Sequence, residues 1–331
     1  MSNLNLNQKL IIKNNKKLIY QTANTQALYL YPLTLKDYVD NLKYLLPIKI
    51  DIIKIDRDID YNIYFNNAYF KRLKCAEITV DKSKDINTIK NLIKVLKDRE
   101  LKVSLNIKDM VHVPLSFFKE VTKDISYFKI YWNYINLDKF KKRLDLINKY
   151  KNETALVHIK GYLRLEEIDN YEEYIKAFNQ HGVDIYQLSK ELLPLDKENV
   201  IIDDKYEKKI RELEDRYKDE IIFKSVKNLK ELYYPRFELD ERNSKNCYAC
   251  KLKPYLYKDI LLPCKVFKMI NNIEEWGIKD LNNLNILNRC GKECDDCASI
   301  YENDILDEIN IIINENSKVK IYMERDDKEW F

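Results

Sequence analysis

The sequence predicts an α/β protein: a partial (β/α)6 barrel with a parallel sheet, followed by a cysteine-rich C-terminal module. Three observations predict it. β-rich runs alternate with amphipathic helices between residues 75 and 233. About six strand–helix units fit in that stretch, too few for a closed eightfold barrel. Six of the seven cysteines then fall between 247 and 297, where Val and Thr thin out. The 331 residues suit one large domain or two smaller ones, and they bury a core without disulfides. An open doubly wound sheet is the rival architecture, since period alone does not separate the two. The expected plan is a small strand–helix element over 1–48, the partial barrel over 49–240, and the cysteine-rich module over 241–331.

Each element has its own local reason. Leu10–Ile12, Leu18–Tyr20 and Ala27–Tyr31 are short apolar runs between polar turns and predict strands. Thr34 is placed as a helix N-cap with Asp37 three residues on, and Leu35, Tyr38, Val39, Leu42 and Leu45 give that helix an apolar face up to Pro47. Ile50–Asp56 or Tyr61–Phe65 is the first barrel strand. Further strands are predicted near Ala76–Val80, Leu101–Ile107, Ser126–Tyr131, Ala155–Ile159, Val183–Leu188 and Ile221–Lys224. Between them run apolar stripes at helical spacing, namely Ile86/Ile89/Ile93/Leu96, Phe140/Leu144/Ile147, Ile168/Tyr171/Ile175/Phe178 and Tyr206/Ile210/Leu213/Tyr217. A shorter helix follows Pro114 over Phe117–Val121. The chain closes with a helix near Ile305–Ile312 and a strand over Val319–Met323.

Composition excludes several function classes. Lys and Arg number 58 against 54 Asp and Glu, a net charge of +4 that gives no nucleic-acid footprint. No apolar run approaches a membrane span, and residues 1–30 lack a signal peptide's apolar stretch, so a cytoplasmic protein is expected. The only glycines are Gly161, Gly182, Gly277 and Gly291. A phosphate-cradling loop needs several glycines together so that backbone amides reach the ligand, which rules out Rossmann, Walker and kinase glycine loops. His112, His158 and His181 each stand alone and are expected to be structural. Tyr131, Trp132 and Tyr134 follow a strand where a barrel mouth forms, and Tyr233, Tyr234 and Phe237 precede the cysteine module. Packing explains most such aromatics.

The cysteines carry the chemistry. Cys75 opens a strand alone and is expected in the core. Cys247, Cys250 and Cys264 have the spacing Cys-x2-Cys-x13-Cys, and Cys290, Cys294 and Cys297 have Cys-x3-Cys-x2-Cys. Clustered thiolates in a reducing compartment point to metal rather than disulfides. Iron–sulfur clusters and structural zinc both take such ligands, so the metal stays open at this point.

The segment from Cys247 through Cys250, Asp259 and Pro263 to Cys264 resembles the auxiliary-cluster segment of radical S-adenosylmethionine (SAM) enzymes. Those segments end in a hairpin of the form Asp-Gly-x-x-x-Pro-Cys. The later Cys290/Cys294/Cys297 group is similar to the downstream cysteines of SPASM domains. The resemblance implies a radical SAM type of partial barrel, one or two [4Fe-4S] clusters, and work on a peptide or protein substrate or with a partner enzyme. The family also places Cys-x3-Cys-x2-Cys after the first strand and Gly-Gly-Glu at the end of the second. Here no cysteine precedes Cys75, and Glu77-Ile78-Thr79-Val80-Asp81 stands in the second place without glycine. Both halves of the SAM site are missing, so bound SAM is not expected. The leading expectation is an iron–sulfur scaffold or partner-binding member with a degenerate SAM site. One alternative is an active radical SAM enzyme whose SAM cluster is held by Cys290, Cys294 and Cys297, although that group follows the whole barrel and Asp296 replaces the usual aromatic. Another is a zinc-stapled interaction module.

Overall fold

A computed structural model describes residues 46–80, 86–192, 198–225, 229–234, 254–262 and 277–279. The N-terminal strand–helix element, all six clustered cysteines, Phe237, and the last helix and strand expected from the sequence lie outside the described residues. In chain order the elements are β1 (Lys49–Lys54), α1 (Tyr61–Phe65), β2 (Cys75–Val80), α2 (Ile86–Asp98), β3 (Lys102–Ile107), α3 (Leu115–Val121), β4 (Tyr127–Trp132) and α4 (Leu137–Tyr150). There follow β5 (Leu156–Tyr162), α5 (Tyr171–Gln180), β6 (Ile185–Ser189), β7 (Glu191–Leu192), α6 (Asp204–Arg216), β8 (Ile222–Lys224), β9 (Tyr233–Tyr234), β10 (Tyr255–Tyr257) and β11 (Ile260–Leu262). The described residues form two compact units. One holds 46–78, 94–102, 254–262 and 277–279, and the other holds 79–80, 86–93, 103–192, 198–225 and 229–234.

In the first unit the strand order is β11-β10-β1-β2. β1 is parallel to β2 on one side and to β10 on the other, and β10 and β11 form an antiparallel hairpin. The hairpin turns at Lys258–Asp259, where Lys258 takes the left-handed conformation at φ 59°. This is the place where the auxiliary-cluster resemblance implies a hairpin. Its parallel pairing with β1 was not visible in the sequence, because three residues after Pro254 carry too little periodicity.

Tyr61–Phe65 is a helix and not the first barrel strand, which is β1. The Asp60 carboxylate caps α1 by accepting the backbone N–H groups of Asn62 and Ile63 at 2.9 and 3.3 Å. Tyr61, Tyr64 and Phe65 recur at helical spacing and stack on one another, with Phe70 joining Tyr64 and Phe65. Two neighbouring apolar residues on one helix face resemble a strand when read by alternation alone.

In the second unit β3, β4, β5, β6 and β8 lie side by side in that order, all parallel. Helices α4 and α5 cover one face of this sheet. Trp132 packs on Phe140 of α4 and Phe178 of α5, and Phe178 meets Tyr186 of β6. Phe128, Ile130, Val157, Ile159, Tyr186 and Leu188 are all fully buried. Each such side chain contributes about 1.5–3 kcal/mol through its removal from water. β5 runs past the expected end at Ile159 through Gly161. A Cβ at Gly161 would meet the Tyr134 hydroxyl at 2.9 Å, so the glycine admits a close approach within the strand. Tyr134 Oη donates to the Tyr162 carbonyl at 2.5 Å, which fixes that approach.

Candidate functional site

Period-two alternation divides the second unit's sheet into two chemically different faces. The face away from α4 and α5 carries Tyr127, Lys129 and Tyr131 on β4, His158, Lys160 and Tyr162 on β5, and Gln187 and Ser189 on β6. Register aligns these side chains in rows. Lys129 stands beside His158, Tyr131 beside Lys160, and Lys160 beside Gln187. Tyr162 stands beside Ser189 in the next row toward the C-terminal ends of the strands. A parallel α/β sheet builds its binding sites at those ends.

The deep row is closely bonded. Tyr127 Oη and His158 Nδ1 lie 2.5 Å apart with both side chains fully buried. Lys129 is 3% exposed on the same face. The outer row is half-buried and cationic. Lys108 Nζ sits 3.7 Å from the centroid of the Tyr131 ring, and Lys160 Nζ sits 5.8 Å from the same centroid. Tyr162 tilts against Tyr131 at 6.0 Å, and burial raises its pKa, with Glu191 adding to the shift. Gln187 is 5% exposed, and its side-chain carbonyl oxygen has no hydrogen-bond partner among the described residues. At the end of β6, burial lowers the pKa of Lys190 against the opposing pull of Glu231 and Glu207. The outer edge of this face therefore gathers two ammonium groups around one aromatic ring, with an amide alongside.

Only one of the three mouth aromatics expected from the sequence reaches this face. Tyr131 does. Trp132 and Tyr134 turn to the helix side and pack on α5 through Tyr174. His112 and His181 each pair with a carboxylate, His112 with Asp109 at 2.8 Å and His181 with Asp145 of α4 at 2.5 Å. Lys108, Lys160 and Gln187 were not singled out by the sequence. For Lys160 and Gln187 the signal was the alternation Lys129-x-Tyr131, His158-x-Lys160-x-Tyr162 and Gln187-x-Ser189, which places polar or phenolic residues at alternate positions of adjacent strands.

The first unit holds a second polar cluster. Lys49 is fully buried, and its ammonium lies 2.9 Å from the Glu77 carboxylate and 3.0 Å from that of Asp51. Burial alone lowers the pKa of Lys49, but Asp51 and Glu77 outweigh it and raise the pKa well above the ordinary lysine value. Glu77, in the middle of β2, is thus tied across to Lys49 of β1. Cys75 is buried on the same strand, as expected of a core cysteine.

Cys247, Cys250, Cys264, Cys290, Cys294 and Cys297 lie outside the described residues, and no group of three or more His, Cys, Asp or Glu side chains among the described residues has metal-holding geometry. The loop after β1, from Ile55 to Asp60, offers no thiol. These residues do not fit a SAM-binding cluster.

Comparison with solved structures decides the fold. Streptococcus suis SuiB bound to S-adenosylmethionine aligns over 77% of this chain and 67% of that chain, with a TM-score of 0.50 at 12% identity. The fold is that of the radical SAM barrel. SuiB bound to the precursor peptide SuiA aligns over 82% of this chain and 70% of that one with a TM-score of 0.49 at 12% identity. The enzyme anSMEcpe with bound AdoMet gives a TM-score of 0.46 at 11% identity over 78% and 80% of the two chains. No family model and no curated protein matches the sequence. No helix among the described residues is long and apolar enough to cross a membrane. The fold here has a polar, lysine-bearing sheet face, and the loop after its first strand, Ile55–Asp60, has no cysteine.

Proposed function

We propose that this chain is an iron–sulfur protein that uses a radical SAM fold as a binding scaffold for a peptide or a partner protein, with the SAM-cleaving site lost. The observation that carries this reading is the pairing of a radical SAM fold with a first-strand loop that has no cysteine. Three thiolates at that loop hold the cluster that cleaves SAM in the family, and Ile55–Asp60 supplies none. A bound peptide would contact the polar face of β3–β6 through Lys108, Tyr131, Lys160 and Gln187.

The metal belongs to the cysteine-rich segment. Cys247, Cys250 and Cys264 form the first ligand group, completed by Cys290, Cys294 or Cys297 in one or two [4Fe-4S] clusters. The β10–β11 hairpin supports this reading. It sets Tyr255 opposite Leu262, so the chain segments leading to Cys250 and Cys264 leave from neighbouring points. When bound, a cluster would brace this end of the chain and offer an open iron if only three thiolates hold it. Anaerobic purification followed by iron and sulfide counting tests the assignment. Cys250→Ala is expected to lose most of the iron, while Cys75→Ala, in a buried strand, keeps it. Stoichiometric zinc without sulfide would make the chain a zinc-stapled module instead, and equal iron loss in both variants would remove the assignment.

A further inference from the structure

Two segments far apart in sequence are fastened together in the first unit, namely the loop after β1 and the turn of the β10–β11 hairpin. A hairpin with three residues per strand is marginal by itself, so its order comes from what it docks on. The Asp51 N–H donates to the Pro254 carbonyl at 3.1 Å, and the Lys258 N–H donates to the Lys54 carbonyl at 2.8 Å, so β1 holds β10 at both ends. Beyond the strands, the turn grips the loop. Tyr61 Oη accepts the Asp56 N–H at 2.9 Å and donates to the Lys258 carbonyl at 3.4 Å. The Lys258 ammonium lies 3.5 Å from the Asp56 carboxylate. That pair is half-exposed and adds little, whereas Tyr61 is 5% exposed and its bridge carries most of the grip. Lys258 is left-handed at φ 59°, a conformation that favours glycine and strains a residue with a side chain. The strained residue is the one that supplies both contacts to the loop.

We infer that the hairpin is a latch that couples metal occupancy of the cysteine-rich segment to the order of loop 55–60, a reading that rests on the metal assignment proposed above. Cys250 lies four residues before Pro254 and Cys264 two residues after Leu262, so both open ends of the hairpin lead directly to the first ligand group. Fixing both thiolates on one centre removes chain freedom from the open end, and docking on β1 then loses less entropy. Linkage makes the coupling reciprocal, so whatever loosens the latch weakens the hold on the metal by the same factor. The loop stands at the C-terminal end of β1, where a parallel α/β sheet builds its binding sites. Loss of the metal therefore unfastens that end.

Zinc is the probe, because it binds thiolates reversibly and its affinity is measured by competition with a chromophoric chelator. The full chain, stripped of metal under anaerobic conditions, is titrated. Tyr61→Phe removes only the bridging hydroxyl and touches no cysteine. It is expected to bind zinc about fivefold more weakly than the parent, the factor that one lost hydrogen bond supplies. Tyr217→Phe is the control. It removes a hydroxyl bonded to Glu172 in the second unit and is expected to keep the parental affinity. On the unmodified chain, zinc is expected to slow hydrogen exchange at the amides of loop 55–60 by at least about fivefold, a readout that needs no variant. Cys250→Ala is expected to abolish that slowing. Equal zinc affinity in Tyr61→Phe and the parent, loop exchange indifferent to zinc, or a slowing that survives Cys250→Ala overturns the latch while leaving metal binding intact. Absence of zinc binding by the parent overturns the metal assignment itself, and this inference with it.

Discussion

Lys49 is the most constrained charge among the described residues. Its ammonium is fully buried between Asp51 and Glu77, so the pair and its neighbour stand or fall together. Removing one partner of a buried ion pair leaves an uncompensated charge, which costs about 3–5 kcal/mol. Lys49→Met is expected to show that loss in urea denaturation, and adding Glu77→Leu is expected to restore part of it. An unchanged midpoint in the single variant would mean the carboxylates find other partners. At this scale the sequence was legible where one residue type meant one thing. Cys75 was expected in the core and is buried there. The lysines were not legible, because a buried Lys and a solvated Lys look alike until the strand's register is known. Lys49, Lys129 and Lys160 took their meaning from alternation shared across neighbouring strands, which no single strand displays.

The helices and strands between 75 and 224 could be read because each repeats its apolar pattern over several turns or pairs. The Phe140/Leu144/Ile147 stripe is buried as expected, and the strands fall where β-branched residues cluster. Misreadings came from short elements. α1 was taken as a possible strand because five residues hold little period, and the Asp60 cap that decides it is a single side chain. β10 is three residues long and pairs with β1, which lies far away in the sequence. Caps are also where single substitutions act on one element. The Asp203 carboxylate accepts the backbone N–H of Lys205 at 3.0 Å and starts α6. That hydrogen bond holds the Asp203 pKa below the ordinary carboxylate value, with desolvation acting against it. Asp203→Ala is expected to lower the thermal midpoint. The loss shrinks as pH falls through the lowered Asp203 pKa, because the protonated carboxyl accepts more weakly. A midpoint indistinguishable from the parent at neutral pH would contradict the capping account.

Buried phenols are numerous among the described residues, and they shape the response to alkali. Burial raises the Tyr61 and Tyr171 pKa values from the ordinary 10.0 to about 12. Burial pushes Tyr64, Tyr134 and Tyr174 up as well. Above the ordinary value the unfolded chain releases these protons while the folded chain keeps them, so unfolding is favoured as pH rises. Stability from this source is complete below about pH 10 and falls progressively toward pH 12 for Tyr61 and Tyr171. Tyrosinate absorbance is expected to lag behind that of a denatured control and to rise together with loss of the fold. Early titration of every tyrosine in the folded state would contradict the burial.

The fold could be read in part from the sequence, since strand–helix alternation gave a parallel α/β protein and the cysteine spacing pointed to the radical SAM group. Whether the chain performs that group's chemistry turns on residues absent from their usual places, namely thiols in the loop after β1 and glycines at the end of β2. The most direct measurement is SAM cleavage. Anaerobically reconstituted protein, chemically reduced and given SAM, is expected to form 5′-deoxyadenosine at no more than the level of a Cys294→Ala control. Turnover well above that control would contradict the scaffold reading and place the radical cluster at Cys290, Cys294 and Cys297.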